Sequence, residues 1–133
     1  MRSDKARQAL LVLTAMVFAG LAVASLVAPH TMAGGIGYTL DSVDALSEFR
    51  AVYVGLWLAT AALLIVAARR VADPLLGDLG AMLVLGQTAG RLVSLVLDGM
   101  PSARIWPIFI LEALGGVALL VVRPRGGVAC GGS

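Results

Sequence analysis

Four long apolar runs separated by short breaks constrain the fold of this chain more than any other feature. They cover about residues 6–28, 44–68, 74–97 and 103–122, each close to the roughly twenty residues with which a helix crosses about 30 Å of hydrocarbon. The runs are far longer than strands, and their interiors show no alternation of apolar and polar residues. Because backbone polar groups in lipid must be paired within the protein, we predict four transmembrane helices.

The composition is typical of a membrane protein. The chain is 59% hydrophobic and 14% charged, whereas soluble domains average about 45–50% and about 25%. Most basic residues flank the apolar runs, and no basic face with interleaved aromatic residues is present. The lipid bilayer is therefore the expected partner, and we predict no nucleic-acid binding.

Helix-breaking residues mark the ends of the runs. Pro29 and AGGIG follow the first run, ADP precedes the third, and DGMPS ends it. Short linkers make consecutive helices antiparallel neighbours, so the predicted fold is an all-α membrane protein with an antiparallel four-transmembrane-helix bundle. One domain is expected over residues 1–125, followed by a flexible Gly-rich tail at 126–133. Cys130, alone in that tail, has no partner for a disulfide or a zinc site.

The first run has one alternative interpretation, a cleaved signal peptide. Its basic start and the small residues of VASLVA fit that interpretation. Its apolar core of about twenty residues exceeds the usual 7–15 of a signal peptide, which favours a retained helix. Retention leaves four helices, of which the first is expected mainly to close the bundle, because its interior holds only Thr14 and Ser25 as polar residues.

Basic residues predict the orientation of the bundle. One side has only Arg104, whereas seven of the ten Lys and Arg residues flank the other side: Arg2, Lys5, Arg7, Arg69, Arg70, Arg123 and Arg125. Basic residues concentrate on the cytoplasmic side of membrane proteins. Both termini are therefore expected in the cytoplasm.

Ionisable residues inside the apolar runs point to a polar site. Arg91 lies about 10 Å below Asp98 in the third helix, Glu112 lies near the bilayer middle, and Glu48 lies near the outer end of the second helix. An unpaired charge costs about 2.5–3.5 kcal/mol at the membrane centre on insertion scales, and less near the interface. A guanidinium can bind a carboxylate through two hydrogen bonds, so we expect Arg91 to pair with Glu48, Glu112 or Asp98 in the outer half of the bundle.

Helical spacing predicts which faces line this site. In the third helix, four polar residues at intervals of four, three and four form one stripe: Gln87, Arg91, Ser94 and Asp98. Glu48 and Glu112 each begin a stripe of small residues, which predicts that both carboxylates point into the bundle. Close helix crossings are also suggested by a few glycines: Gly55, Gly86, Gly90, Gly115 and Gly116.

Aromatic and basic residues near the outer interface have two interpretations. Arg50 and Tyr53 point away from Glu48. Arg50 either extends to the interface over an aromatic belt or contacts a lipid phosphate or a second subunit. The ligand-binding candidates are Arg50, Tyr53, Gln87 and Ser94. Belt positions are expected for three further residues: His30, Tyr38 and Trp106. His30 has no second His or Cys to join it, so no metal site is predicted.

Three stretches, SEFRAVYVGLWLA, GRLVSLVLDGMPS and ILEALGG, resemble a bacterial family of small four-helix membrane proteins, DUF family 4345. Its pattern is E-x-R-A-x-Y-x-G in the second helix, G-R-x-x-S-x-x-x-D-G-x-P at the end of the third, and a glutamate in the last. Val54 departs from it, because a second glycine is common there. The matching positions are Glu48, Arg50, Ala51, Tyr53, Gly55, Gly90, Arg91, Ser94, Asp98, Gly99, Pro101 and Glu112. The resemblance implies a multi-pass protein of the bacterial plasma (inner) membrane but implies no reaction.

The sequence leaves three functions open. In the first, the polar site binds a lipophilic small molecule or isomerises or cyclises it without a cofactor, with Glu112 as acid, Glu48 or Asp98 as base and Arg91 as the orienting group. In the second, the protein is a structural or assembly subunit of a homo-oligomer or a complex with another membrane protein, and its charges set helix register. In the third it is a small transporter, although no charge follows Arg7 in the first helix.

Overall fold

The computed structural model describes residues 2–123, whose regular structure is entirely helical. No strand occurs within that range, so the all-α prediction is confirmed. The helices are α1 (Arg2–Val27), α2 (Pro29–Gly35), α3 (Val43–Arg69), α4 (Pro74–Leu97) and α5 (Trp106–Val121). The predicted tail at 126–133, with Cys130, lies outside the described residues, as does Arg125.

Local sequence chemistry explains where the helices begin. The Ser42 hydroxyl accepts a hydrogen bond from the Ala45 backbone N–H (3.0 Å) at the start of α3. The Asp73 carboxylate accepts one from the Leu75 N–H (3.0 Å) before α4. Proline in the first turn of a helix loses no hydrogen bond, which is why α4 begins at Pro74 and the short, unpredicted α2 begins at Pro29.

Helix α3 is not a uniform α-helix. Its two α-helical parts, Val43–Arg50 and Trp57–Arg69, are joined by a π-helical segment, Ala51–Leu56. A π-helical segment has a wider turn, so residues before and after it no longer share the face that α-helical spacing predicts. The predicted alignment of Glu48 with Gly55 and the following small residues therefore does not hold.

Three of the helices are long and apolar enough to cross a membrane: α1 from Asp4, α3 and α4. The fourth long helix, α5, is apolar but has 16 residues, or about 24 Å at 1.5 Å per residue. These lengths are compatible with a multi-pass membrane protein.

The helices pack as two pairs. Helix α1 packs mainly on the second part of α3, and α4 packs mainly on α5. The pairs meet where Trp57–Arg69 contacts α4. We call this the basal end, where α1 and α4 begin and α3 and α5 end; the opposite end is the distal end. The buried apolar core includes Leu11, Ala15, Phe18, Ala22, Trp57, Ala61, Leu64, Val84 and Leu119.

Arg7 is buried at the basal end, although its position suggested a flanking charge. Its side chain is 1% exposed, its Nη2 donates a hydrogen bond to the Pro74 carbonyl (3.1 Å) and lies 3.7 Å from an Asp78 carboxylate oxygen. Asp78 also pairs with Arg123 (2.9 Å). A Cβ at Gly77 would collide with the Arg7 guanidinium, so this glycine makes room for it. These contacts join α1, α4 and Arg123, which lies two residues after the end of α5.

Glycines bring helices together at fewer places than expected. A Cβ at Gly116 would lie 2.6 Å from the Leu85 side chain, so α5 and α4 approach closely there, as predicted. Among the described residues, no heavy atom lies within 4 Å of a Cβ built at Gly86, Gly90 or Gly115. Gly55 would meet only the Arg50 carbonyl of its own helix, at 3.8 Å. The predicted close crossings at these four glycines are therefore wrong within residues 2–123.

Candidate functional site

A largely apolar cavity of about 460 Å³ separates the two helix pairs. Its volume lies in the range of roughly 300–1,000 Å³ that is typical of small-molecule sites. Helices α1, α3, α4 and α5 all line it, together with residues in and after α2. Most of the lining is aliphatic or aromatic, including Leu13, Val17, Phe18, Leu21, Ile108 and Leu114.

Helix α1 forms a large part of the cavity lining. Its lining residues extend from Leu10 to Ser25 and include Thr14. The prediction that α1 mainly closes the bundle is therefore wrong. A cavity in an apolar bundle can be lined by apolar side chains, so the scarcity of polar residues in α1 was a poor guide to its place in the site.

The Arg91–Glu112 ion pair lies in the cavity lining and joins α4 to α5. Arg91 Nε donates to Glu112 Oε2 (2.8 Å) and Arg91 Nη2 donates to Oε1 (3.1 Å). Glu112 is 8% exposed and Arg91 is 29% exposed. Both oxygens of the carboxylate accept hydrogen bonds from one guanidinium, which is the strong bidentate geometry. Of the three predicted carboxylate partners, Glu112 is the one that Arg91 binds.

The rest of the predicted α4 stripe does not line this cavity. The Ser94 hydroxyl donates to the Asp98 carboxylate (2.7 Å), and both residues are exposed. Gln87 is half-buried and is absent from the cavity lining. Val84 and Arg91, seven residues apart and therefore almost aligned on an α-helix, are the α4 residues in the lining. Ser94 lies about 60° round the helix from Arg91. Asp98 is nearly aligned with Arg91, but it follows the last residue of α4 and is exposed.

Glu48 and Arg50 are both exposed. Glu48 contributes instead to a second, more open cavity of about 350 Å³. The prediction that its carboxylate points into the bundle is wrong, because the π-helical segment that follows it breaks the helical phase. Arg50 lines neither cavity, so the structure does not bring this ligand-binding candidate to the site.

An aromatic cluster centred on Tyr53 stands between the two cavities. The Tyr53 ring stacks on Phe49 (centroids 4.5 Å apart) and meets Trp57 (4.9 Å) and Tyr38 (6.3 Å) edge-on. Tyr38, Phe49 and Tyr53 line both cavities. The Tyr53 phenol is also close enough to Arg91 and Glu112 to interact electrostatically with both. The π-helical segment thus places Tyr53, a predicted ligand-binding residue, in the cavity wall.

Sequence reasoning missed Ser25 and Tyr38 as site residues. Ser25 is 0% exposed, lines the larger cavity, and its hydroxyl has no hydrogen-bond partner among residues 2–123. Buried hydroxyls normally have a hydrogen-bond partner. A lone serine near the end of an apolar run was therefore the signal by which the sequence could have indicated a polar site there. Thr14 differs, because its hydroxyl donates to the Leu10 carbonyl (2.8 Å).

The family model described as Domain of unknown function (DUF4345) matches residues 6–123. The chain belongs to the DUF4345 family. The DUF4345 match includes every lining residue of the larger cavity and both partners of the Arg91–Glu112 pair. Searches of curated proteins and of solved structures found no match.

The family pattern divides into two groups of residues in this DUF4345 domain. Tyr53, Arg91 and Glu112 line the larger cavity. The second group is exposed and does not line the larger cavity: Glu48, Arg50, Ser94 and Asp98. Among the described residues, no cluster of three or more His, Cys, Asp or Glu is arranged to hold a metal ion.

Proposed function

We propose that this DUF4345 protein is a four-span integral membrane protein that binds a lipophilic small molecule between its helix pairs. One observation carries the proposal: an apolar cavity of about 460 Å³ has a single ion pair, Arg91–Glu112, in its lining. Small-molecule sites typically combine an apolar surface with a few polar groups that orient the ligand. The membrane itself supplies lipophilic molecules to such a cavity.

In this proposal α5 is the fourth span and the basal end faces the cytoplasm of a bacterial cell. Helix α5 is shorter than the hydrocarbon thickness, which a membrane accommodates by local thinning or by extended flanking side chains. Trp106 at its start and Arg123 after its end are suitable interfacial anchors. The basic residues Arg69 and Arg70 end α3 at the basal side, so the positive-inside rule favours cytoplasmic termini.

Binding, rather than acid–base conversion, is the function that the geometry supports best. Isomerisation or cyclisation by two carboxylates requires an acid and a base at the same ligand. Glu48 and Asp98, the predicted second carboxylates, are exposed and do not line the larger cavity. Glu112 has both oxygens bound to Arg91, which suits it to orient a ligand together with Arg91.

Filling the cavity tests this proposal. Gly115 lines the cavity, and no heavy atom of residues 2–123 lies within 4 Å of a Cβ built there, so Gly115→Phe should occupy ligand space without a clash at Cβ. Gly20 has the same open surroundings but does not line the cavity, which makes Gly20→Phe the matched control. Mass spectrometry of protein purified in mild detergent should find a stoichiometric apolar molecule with the wild type and Gly20→Phe, and at least about tenfold less with Gly115→Phe. Equal retention by both variants, or no ligand on the wild type, would overturn the proposal.

A structural role for the charges is the second candidate, because the bidentate pair directly joins α4 to α5. A purely structural pair can be replaced by apolar residues of similar volume with little loss of stability. Arg91→Met with Glu112→Leu would then fold and keep its cellular partners. If this folded double variant also retains the co-purified molecule, the pair orients no ligand.

A further inference from the structure

The polar groups of the larger cavity are concentrated toward its distal end. Its lining on α1 extends from Leu10 to Ser25, fifteen residues or about 22 Å along a helix. Arg7 contacts Pro74 at the basal end. Ser25 lies eighteen residues beyond Arg7 along α1, and Arg91 lies seventeen residues beyond Pro74 along α4. Both are therefore about 26 Å from the Arg7–Pro74 contact along their helices, toward the distal end.

The basal part of the cavity presents hydrocarbon. Leu10, Leu13, Val17 and Val84 line it. The one hydroxyl there, on Thr14, already donates to the Leu10 carbonyl. A long, narrow apolar space that ends in polar groups matches the shape of a single-chain amphiphile.

The charge of the site favours a ligand without net charge. Among the described lining residues Arg91 and Glu112 are the charged ones, and they neutralise each other in a bidentate pair. A charged headgroup would add an unbalanced charge to an apolar interior, which is costly even beside an existing ion pair. Neither a carboxylate, a sulfate nor an ammonium headgroup finds a free counter-charge there.

Hydrogen-bonding capacity remains at the polar end. Arg91 uses two of its five N–H groups on Glu112, so three N–H groups remain beyond this pair. The buried Ser25 hydroxyl has no partner in the described chain. Serine can donate and accept, whereas arginine only donates. The remaining Arg91 N–H groups and the Ser25 hydroxyl can donate hydrogen bonds to a ligand oxygen that accepts them, as in a hydroxyl or a carbonyl.

We infer that the ligand is an uncharged, single-chain amphiphile whose oxygen-bearing headgroup binds Arg91 and Ser25 while its hydrocarbon tail lies along α1 toward the basal end. This inference rests on the proposed binding function. It adds the class of ligand, the orientation of its chain, and a binding role for Ser25.

The test compares probes that share one tail: 1-hexadecanol, hexadecyl sulfate and hexadecane. Each is titrated into the full chain, stripped of co-purified lipid, and binding is followed by native mass spectrometry in mild detergent. Hexadecanol should bind one per chain and at least about tenfold more tightly than hexadecyl sulfate. Hexadecane should bind at least about tenfold more weakly than the alcohol, because it loses the hydrogen bonds to both Arg91 and Ser25, and the bond from a charged guanidinium is the stronger of the two.

Two serine variants separate headgroup recognition from general lipophilicity. Ser25→Ala should weaken hexadecanol binding about fivefold and leave hexadecane binding unchanged. Ser94→Ala, which alters an exposed serine outside the cavity, should change neither.

The possible failures are distinguishable. Tighter or equal binding of hexadecyl sulfate would overturn the neutral headgroup while the binding function stands. Unchanged hexadecanol affinity in Ser25→Ala would overturn the role of Ser25. If no probe binds the wild type more tightly than it binds Gly115→Phe, the proposed function itself fails.

Discussion

Arg91 and Glu112 form a bidentate ion pair between α4 and α5, with donor–acceptor distances of 2.8 and 3.1 Å. The pair connects the two helices and lies in the lining of the cavity that separates them from α1 and α3. Its two partners differ in exposure, because Glu112 is buried and Arg91 is partly accessible. Removing Arg91 and removing Glu112 should therefore have unequal effects on stability.

Removal of the Arg91 side-chain charge should be strongly destabilising. Arg91→Leu leaves the buried Glu112 carboxylate without a counter-charge, and breaking a buried pair in this way costs about 3–5 kcal/mol. We expect a large fall in the thermal unfolding temperature in detergent at neutral pH. The matched control is Arg104→Leu, an exposed loop arginine, which should stay within about 0.5 kcal/mol of the wild type.

A second substitution should reverse most of that loss. Arg91→Leu with Glu112→Gln removes the stranded charge. The double variant should therefore lose less free energy of unfolding than the sum of the losses in the two single variants. Thermal unfolding of the four proteins of this cycle measures the coupling. Unchanged stability of Arg91→Leu alone would show that Arg91 does not stabilise Glu112.

The glycine beside Arg7 should not tolerate a side chain. In Gly77→Ala the new Cβ meets the buried Arg7 guanidinium, which cannot shift without losing its hydrogen bond to Pro74. Overpacking of this kind costs about 1–3 kcal/mol, measured as a lower unfolding temperature. Gly86→Ala has open space around its Cβ and should be neutral or stabilised by up to about 1 kcal/mol. Equal stability of the two variants would contradict the close contact at Gly77.

The Tyr53 ring should matter more than its hydroxyl for stability. Tyr53→Ala removes contacts with Phe49, Trp57 and Tyr38 and opens the wall between the two cavities, which we expect to cost about 2 kcal/mol. Tyr53→Phe keeps these contacts and should lose less than about 1 kcal/mol. Thermal unfolding distinguishes the variants, and a lower stability of Tyr53→Phe than of Tyr53→Ala would refute the packing role.

The proposed orientation can be tested with the native cysteine. Cys130 follows α5 in sequence and is expected in the cytoplasm, so a membrane-impermeant maleimide should not label it in intact cells. After Cys130→Ser, a cysteine introduced by Ser102→Cys, between α4 and α5, should be labelled from outside. The reverse labelling pattern would show the opposite topology, and labelling of both positions would exclude α5 as a membrane span.

The four long helices were predictable because their determinants are local. Run length, proline and glycine set the boundaries, and α4 occupies Pro74–Leu97 as predicted. The need of Arg91 for a carboxylate partner was also predictable, since an unpaired charge is costly in an apolar bundle. Both inferences require only the order of residues along the chain and the properties of the lipid.

The choice of Glu112 over Glu48 and Asp98, the burial of Arg7 and the involvement of Ser25 were decided by the tertiary structure. These features depend on how each helix is rotated about its axis and where the helix pairs separate. The π-helical segment Ala51–Leu56 changes the rotation of α3 between Glu48 and Trp57, so a count of 100° per residue fails across it. The cavity exists because α3 contacts α4 through its second part, a relationship between distant segments that no local sequence pattern encodes.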